Sequence, residues 1–394
     1  RLPEATRRLP QLARMLGTPL WLSIAEAVYH ADPDGDPLAA CPPDASSVLI
    51  EDALYAPWLE QRLEGQPGVI DHLAILATTM RANGQQTLYL ESLQPSWLNQ
   101  PRSQRLAWLL FGLASGLVVG LALALSAWLG LWLVSGHSRW IIDVLAFGLS
   151  FGLTGGAVFG LTERGSRIRV VAYRRWSWRS ALTLRALADG MFFGVVFGAM
   201  LALLYAPSGR LADGVVAGLL TGTIFGLVAG PVLRGWVTVP AVQGRSADPM
   251  ATIRRSVRHG LTVLLLAVLV GGLAVTLVGE RLLPLLDPAR GVLPWPANLI
   301  AAGVTFGALT SAVAARRRFG GGGSLVDLGL GAGISYEATR LAAAHQRLLP
   351  WDLVAFLDDA CAVGVMYPAG PGYRFRHRTL ADHLADGSRR RTPP

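Results

Sequence analysis

The 394 residues are 52% hydrophobic and only 15% charged, with 45 glycines and a formal net charge of +9. That balance excludes an ordinary water-soluble globule and a disordered chain, and describes an integral membrane protein with modest soluble parts. All 35 basic residues are Arg, since there is no lysine, so no phosphate-binding loop of the form GxxxxGK(S/T) exists within these residues.

From the N-terminus, Leu9, Leu12, Leu16, Leu20, Ile24 and Val28 recur at helical spacing, broken at Gly17-Thr18-Pro19. This predicts two helices joined by a tight turn. Ala31 to Ser47, with Asp32-Pro33-Asp34-Gly35-Asp36-Pro37 and Cys41-Pro42-Pro43, has the chemistry of a loop. An amphipathic helix follows over Val48 to Leu63, with Leu49, Leu54, Trp58 and Leu63 as its buried face. Another runs over Ile70 to Asn83 and ends at Asn83-Gly84. Thr87 to Leu90 reads as a short strand, and Leu93 to Leu98, with Pro95 and Trp97, leads into an apolar block. Residues 1–100 are thus a helical segment without a catalytic pair of side chains.

Between Leu106 and Ala315 lie six apolar runs: Leu106 to Val134, Ile141 to Leu161, Leu187 to Ala206, Leu211 to Leu233, Gly260 to Gly279, and Asn298 to Ala315. A helix rises about 1.5 Å per residue and the hydrocarbon core is about 30 Å thick, so about 20 apolar residues cross it. Short Arg-rich loops stay in the cytoplasm. The second loop carries Arg164, Arg167, Arg169, Arg174, Arg175, Arg179 and Arg185, and the fourth Arg234, Arg245, Arg254, Arg255 and Arg258. Both are expected to be cytoplasmic, and the sparsely charged first, third and fifth loops to face outward. Six crossings return the chain to its starting side. The expectation is a multi-pass protein of the inner membrane, its partner the lipid bilayer and both its termini cytoplasmic. The basic charge is then topology facing anionic lipid, and no nucleic acid is expected as a partner. Tyr173, Trp176 and Trp178, beside Arg174, Arg175 and Arg179, read as a segment lying at the interface.

Within the block, glycines recur four apart: Gly148, Gly152, Gly156 and Gly160; Gly190, Gly194 and Gly198; Gly214, Gly218, Gly222, Gly226 and Gly230. Such a period puts small residues near one helix face and lets backbones approach, which is how helices associate in lipid. These glycines are the candidate packing residues. Asp143, Asp189 and Asp213 stand in first turns, where a carboxylate caps a helix. Ala188-Asp189-Gly190 and Ala212-Asp213-Gly214 begin consecutive runs, as an internal duplication would leave them. With only Thr and Ser at mid-span, the block reads as structural, or at most as a passive pore.

Residues 316–334 form an Arg- and Gly-rich hinge around Gly320 to Gly323. Then come a helix over Ile334 to Leu348, another over Trp351 to Val363 capped by Gly364, and strands Val365 to Tyr367 and Tyr373 to Phe375 around Pro368-Ala369-Gly370-Pro371-Gly372. A last helix, His377 to Ala385, precedes a disordered tail in 387–394. Helix, helix, hairpin, helix is the order of a winged-helix module, assigned here to 335–386. The expected fold class is mainly α: a six-helix transmembrane bundle over 106–315, inserted between cytoplasmic helical and winged-helix-like segments. Cys41 and Cys361 lie in the soluble parts on the reducing side, where neither a disulfide nor a metal cluster is expected. The start at Arg1, without an initiator Met, leads to the expectation of a fragment or processed chain.

Three stretches carry a resemblance: Gly17-Thr18-Pro19-Leu20 with Ser23; Leu76-Ala77 through Leu93-Gln94-Pro95-Ser96-Trp97-Leu98; and Phe356-Leu357-Asp358 through Phe375-Arg376-His377-Arg378-Thr379-Leu380-Ala381-Asp382-His383-Leu384-Ala385. They resemble the helical and winged-helix portions that follow the nucleotide-binding core in bacterial NACHT-type NTPases of the STAND class with membrane spans. The last stretch matches that family's Phe-x-His followed by an acidic residue and Leu-Ala, with Asp382 where Glu is commoner. The resemblance covers about the first hundred and last sixty residues. It implies that Pro19 contacts adenine and that His377 senses the phosphates. It also implies an upstream nucleotide-binding domain using ATP or ADP with Mg, and a homo-oligomer. Read from the residues alone, Pro19 breaks a helix and His377 caps one. The catalytic engine, an ATPase or GTPase, would lie outside this chain, which itself offers no catalytic residue and no metal site. The chain then reads as the membrane-anchored regulatory and effector half of a nucleotide-dependent signalling switch, with roles in stress or defence against phage. The alternative is a stand-alone membrane channel or transporter; DNA binding by the winged helix is disfavoured by the lack of a basic recognition face over Tyr336 to Leu349.

Overall fold

The structure, a computed structural model, describes residues 1–33, 35–63, 68–135, 141–162, 173–176, 236–239, 248–282 and 330–391, with isolated positions at 183, 184, 188, 191, 195, 215 and 219. It is mainly helical. In chain order the described elements begin with α1 (Leu2–Arg8), α2 (Pro10–Met15), α3 (Pro19–Ala31), α4 (Ser47–Arg62), α5 (Val69–Ala82) and β1 (Leu88–Tyr89). Then come α6 (Pro101–Ser135), α7 (Ile141–Thr162), β2 (Tyr173–Trp176), β3 (Trp236–Val239), α8 (Ala251–Leu282) and α9 (Leu330–His345). The chain closes with α10 (Leu353–Ala362), β4 (Met366–Ala369), β5 (Gly372–Phe375) and α11 (Arg378–Arg391). These elements fall into two compact units, one of Arg1–Tyr89 with Ala344–Pro394, the other Leu90–Ala343.

In the first unit both chain ends contribute to one core. Pro10 and Pro19 each stand at the first position of a helix, where the missing N–H costs nothing and the fixed φ suits the turn. In α4 the buried face is Ile50, Leu54, Tyr55, Trp58 and Leu59, whereas Leu49, expected inside, is 42% exposed. Five residues separate Leu49 from Leu54, a rotation of about 140° that carries it to the far side of the helix. Helix α5 ends where Gln85 N–H reaches Met80 O at 2.8 Å and Gly84 N–H reaches Arg81 O at 3.0 Å, with Gly84 at φ +64. Helix α10 ends the same way, Val365 N–H on Ala360 O at 3.0 Å with Gly364 at φ +79. Its start is capped by Asp352, which accepts Ala355 N–H at 3.0 Å.

Strands from the two ends form one antiparallel sheet in the order β1-β5-β4. Leu88 pairs with Tyr373 and Tyr89 with Gly372, and β4 and β5 form a tight hairpin. A Cβ on Gly372 would lie 2.6 Å from Leu88 O, so β1 can dock there only because position 372 is bare. Pro368 sits in β4, an edge of the sheet, where a missing donor is tolerated. Helix α11 runs to Arg391, through part of the segment expected to be a disordered tail. Its Leu380, Leu384 and Ala385 are buried and anchor the rest.

In the second unit, α6 and α8 include the stretches Pro101–Leu133 and Ala251–Leu273, the two helices among the described residues that are long and apolar enough to cross a membrane. Helix α7, 22 residues long, packs along α6, as does α8. The runs Leu187 to Ala206, Leu211 to Leu233 and Asn298 to Ala315, and the Gly320 to Gly323 hinge, lie outside the described residues except for isolated positions. Tyr173–Trp176, read as an interfacial segment, is strand β2, paired with β3 from Tyr173↔Val239 to Trp176↔Trp236. Helix α9 meets α6 through Ala338 on Trp108 and Phe111.

Candidate functional site

His377 stands between β5 and α11, half-buried, and its carbonyl accepts Ala381 N–H at 3.3 Å. Burial first, and the neighbouring Arg376 charge second, hold its imidazole below the ordinary value, which disfavours the charged form. Among the described residues its ring has no hydrogen-bond partner, which leaves both nitrogens available to an external group.

The helix that His377 introduces is fastened by polar contacts across more than three hundred residues of sequence. His383 Nδ1 lies 2.6 Å from Asp52 Oδ1 of α4, Tyr55 hydroxyl 2.7 Å from Thr379 Oγ1, and Arg81 Nη2 2.8 Å from Asp386 Oδ1. The Tyr55 ring lies 5.1 Å from that of His383 and 4.8 Å from that of Trp21 on α3. Asp52 and Tyr55 carried no signal in the sequence, because their partners are remote.

Pro19 is exposed at the first turn of α3, after a turn in which Thr18 Oγ1 donates to Met15 O at 2.9 Å. Pro19 and His377 thus open two helices that are linked through Trp21, Tyr55 and His383. Above α5 and α11 a cleft of about 350 Å³ is lined by Arg81, Arg374, Arg376 and Arg378 among others. Among the described residues no group of three or more His, Cys, Asp and Glu side chains is arranged to hold a metal ion.

Of the candidate packing glycines, Gly148, Gly152, Gly156 and Gly160 are buried on α7 and face the backbone of α6. A Cβ on Gly148 would strike Gly120 O, on Gly152 Gly116 O, and on Gly156 Gly112 O; on Gly160 it would lie 2.6 Å from Trp108 O. The reverse holds for Gly112, Gly116 and Gly120, so the contact is an antiparallel glycine face on both helices. Those three α6 glycines were not singled out from the sequence, although their four-residue spacing was there to see. Gly190, Gly194, Gly198, Gly214, Gly218, Gly222, Gly226 and Gly230 lie outside the described residues. Comparison with protein-family models, curated proteins and solved structures gives no match.

Proposed function

We propose that this chain is the membrane-anchored regulatory and effector part of a NACHT-type, STAND-class nucleotide switch, with ATP or ADP and Mg held by an upstream nucleotide-binding domain. The observation that carries this reading is connectivity. The order α5-β1, then α10-β4-β5, with strands arranged β1-β5-β4 in the first unit, supports reading a winged helix whose first helix and strand precede the apolar block. A module made from both ends of the chain implies that its two parts occupy the same compartment, which is what the arginine distribution requires. The β2–β3 pairing favours the same topology, because it joins the second and fourth loops, both read as cytoplasmic.

On this reading a phosphate reaches the free imidazole of His377, α11 shifts on α4 and α5, and the displacement is passed to the glycine-packed α6–α7 pair or to the clustering of whole subunits. The test uses the gene with its upstream coding region. The reading expects an in-frame GxxxxGK(S/T) loop, ADP retention by the purified protein, and weaker retention in His377→Ala. ADP-independent solute flux through the six-span bundle, with no such loop upstream, would favour a stand-alone channel.

A further inference from the structure

Two guanidinium groups converge where the end of α4 approaches the end of β5. The Nη1 atoms of Arg62 and Arg376 each lie 3.1 Å from the position that a Cβ on Gly364 would take, so they are at most twice that distance apart, about 6 Å. Arg62 is held in place, donating to Val363 O at 2.7 Å with its guanidinium 5.0 Å from the centre of the Trp58 ring. Gly364, at φ +79, has no side chain to press on the two groups, as a Cβ there would. Among the described residues neither arginine pairs with a carboxylate, whereas Arg8, Arg81, Arg254, Arg340 and Arg378 each do. Arg374 shares the cleft that Arg376 lines, where Arg378 is paired with Asp382. Like charges this close repel each other, and an oxyanion between them turns the repulsion into attraction.

We propose that Arg62 and Arg376 form a binding site for a phosphate group over Gly364, at the turn between α10 and β4. Donors at most about 6 Å apart can reach two different oxygens of one phosphate through charge-assisted bonds of about 2.7–2.9 Å. The phosphate comes either as a free phosphate or as a phospholipid headgroup. The site stands on this geometry and is independent of the switch reading. Its rival is purely structural: the two arginines merely neutralise the C-terminal end of α10, which needs no ligand.

The test follows thermal unfolding of the full chain in neutral detergent. In one arm inorganic phosphate replaces chloride at constant ionic strength; in the other the micelles are doped with phosphatidic acid. The parent chain should show a saturable rise in Tm of about 3 °C at ten times Kd. Arg376→Gln and Arg62→Gln should each abolish the rise while keeping the parent's circular dichroism. A rise in the first arm assigns a free phosphate, and a rise in the second arm alone assigns a headgroup. A rise that persists undiminished in both variants, or no saturable rise in either arm for the parent chain, would overturn the site.

Discussion

Replacing Gly116 by Ala puts a methyl group where α7 already is. Its Cβ would strike Gly152 O and lie 2.8 Å from Gly156 Cα. Carbon atoms rest about 3.5–4.0 Å apart, so the two helices must part by about 1 Å, and a gap of about 0.5–1 Å forfeits a quarter to a half of each contact's attraction. Because the obstacle is backbone on both sides, no rotamer change relieves it. Overpacking of this kind costs about 1–3 kcal/mol, against a gain of about 1 kcal/mol from the better helix propensity of Ala. The net expectation is a loss of up to about 2 kcal/mol. Leu117, one position on and 37% exposed, supplies the control, since Leu117→Ala should change stability by no more than about 0.5 kcal/mol. Unfolding of the full chain in mixed micelles with increasing SDS, followed by circular dichroism, measures both. If Gly116→Ala proves as stable as Leu117→Ala, the glycine face does not hold α6 and α7 together.

Three further outcomes are expected. Asp52→Ala strands His383 and should cost about 1–3 kcal/mol, seen as faster hydrogen exchange across Arg378–Arg391 with that of α6 and α7 unchanged. Burial raises the Glu91 carboxyl above its ordinary value of 4.5, only partly offset by a hydrogen bond with Thr252. A carboxyl raised in the fold contributes stability below its unfolded pKa and loses it as pH rises through the folded value. Glu91→Gln should therefore be more stable than the parent at pH 7, and the advantage should fade on acidification toward pH 4.5, measured as Tm against pH. Gly84→Ala tests backbone strain alone: φ is +64 and nothing lies within 4 Å of the added Cβ, so urea titration should show a loss of about 1 kcal/mol.

Local signals were the legible ones. Pro19 starting a helix, the Asn83-Gly84 and Gly364 stops, and the hairpin at Gly370 are set by backbone chemistry within a few residues, and their positions are readable from neighbours. On α4, Leu54, Trp58 and Leu63 are buried as expected and Leu49 alone is not, because its five-residue offset from Leu54 turns it away from the core. What sequence pattern does not carry is partnership at long range. The pairing of β1 with β5 joins residues 88 and 373, and Asp52 with His383 spans 331 positions. Neither local propensity nor periodicity encodes such pairs. For the glycine face the period was visible on α7, but a period alone does not reveal which helix comes to meet it. The likeness of the Phe375-Arg376-His377 stretch to a family drew attention to His377; Arg62 and Arg376 over Gly364 emerge only from geometry.

The measurement closest to the heart of the account removes the second unit, with its two long apolar helices, altogether. Residues 90–343 are deleted and Tyr89 is joined to Ala344 by a flexible Gly-Ser linker, leaving the first unit to fold by itself. If both ends of the chain build one module into which the apolar helices are inserted, the joined protein is soluble and cooperatively folded. Its NMR spectrum then shows backbone NOEs from Leu88 to Tyr373 and from Tyr89 to Gly372. A protein that keeps the β4–β5 hairpin but shows no cross-strand NOE from β1, or that does not fold, would contradict it.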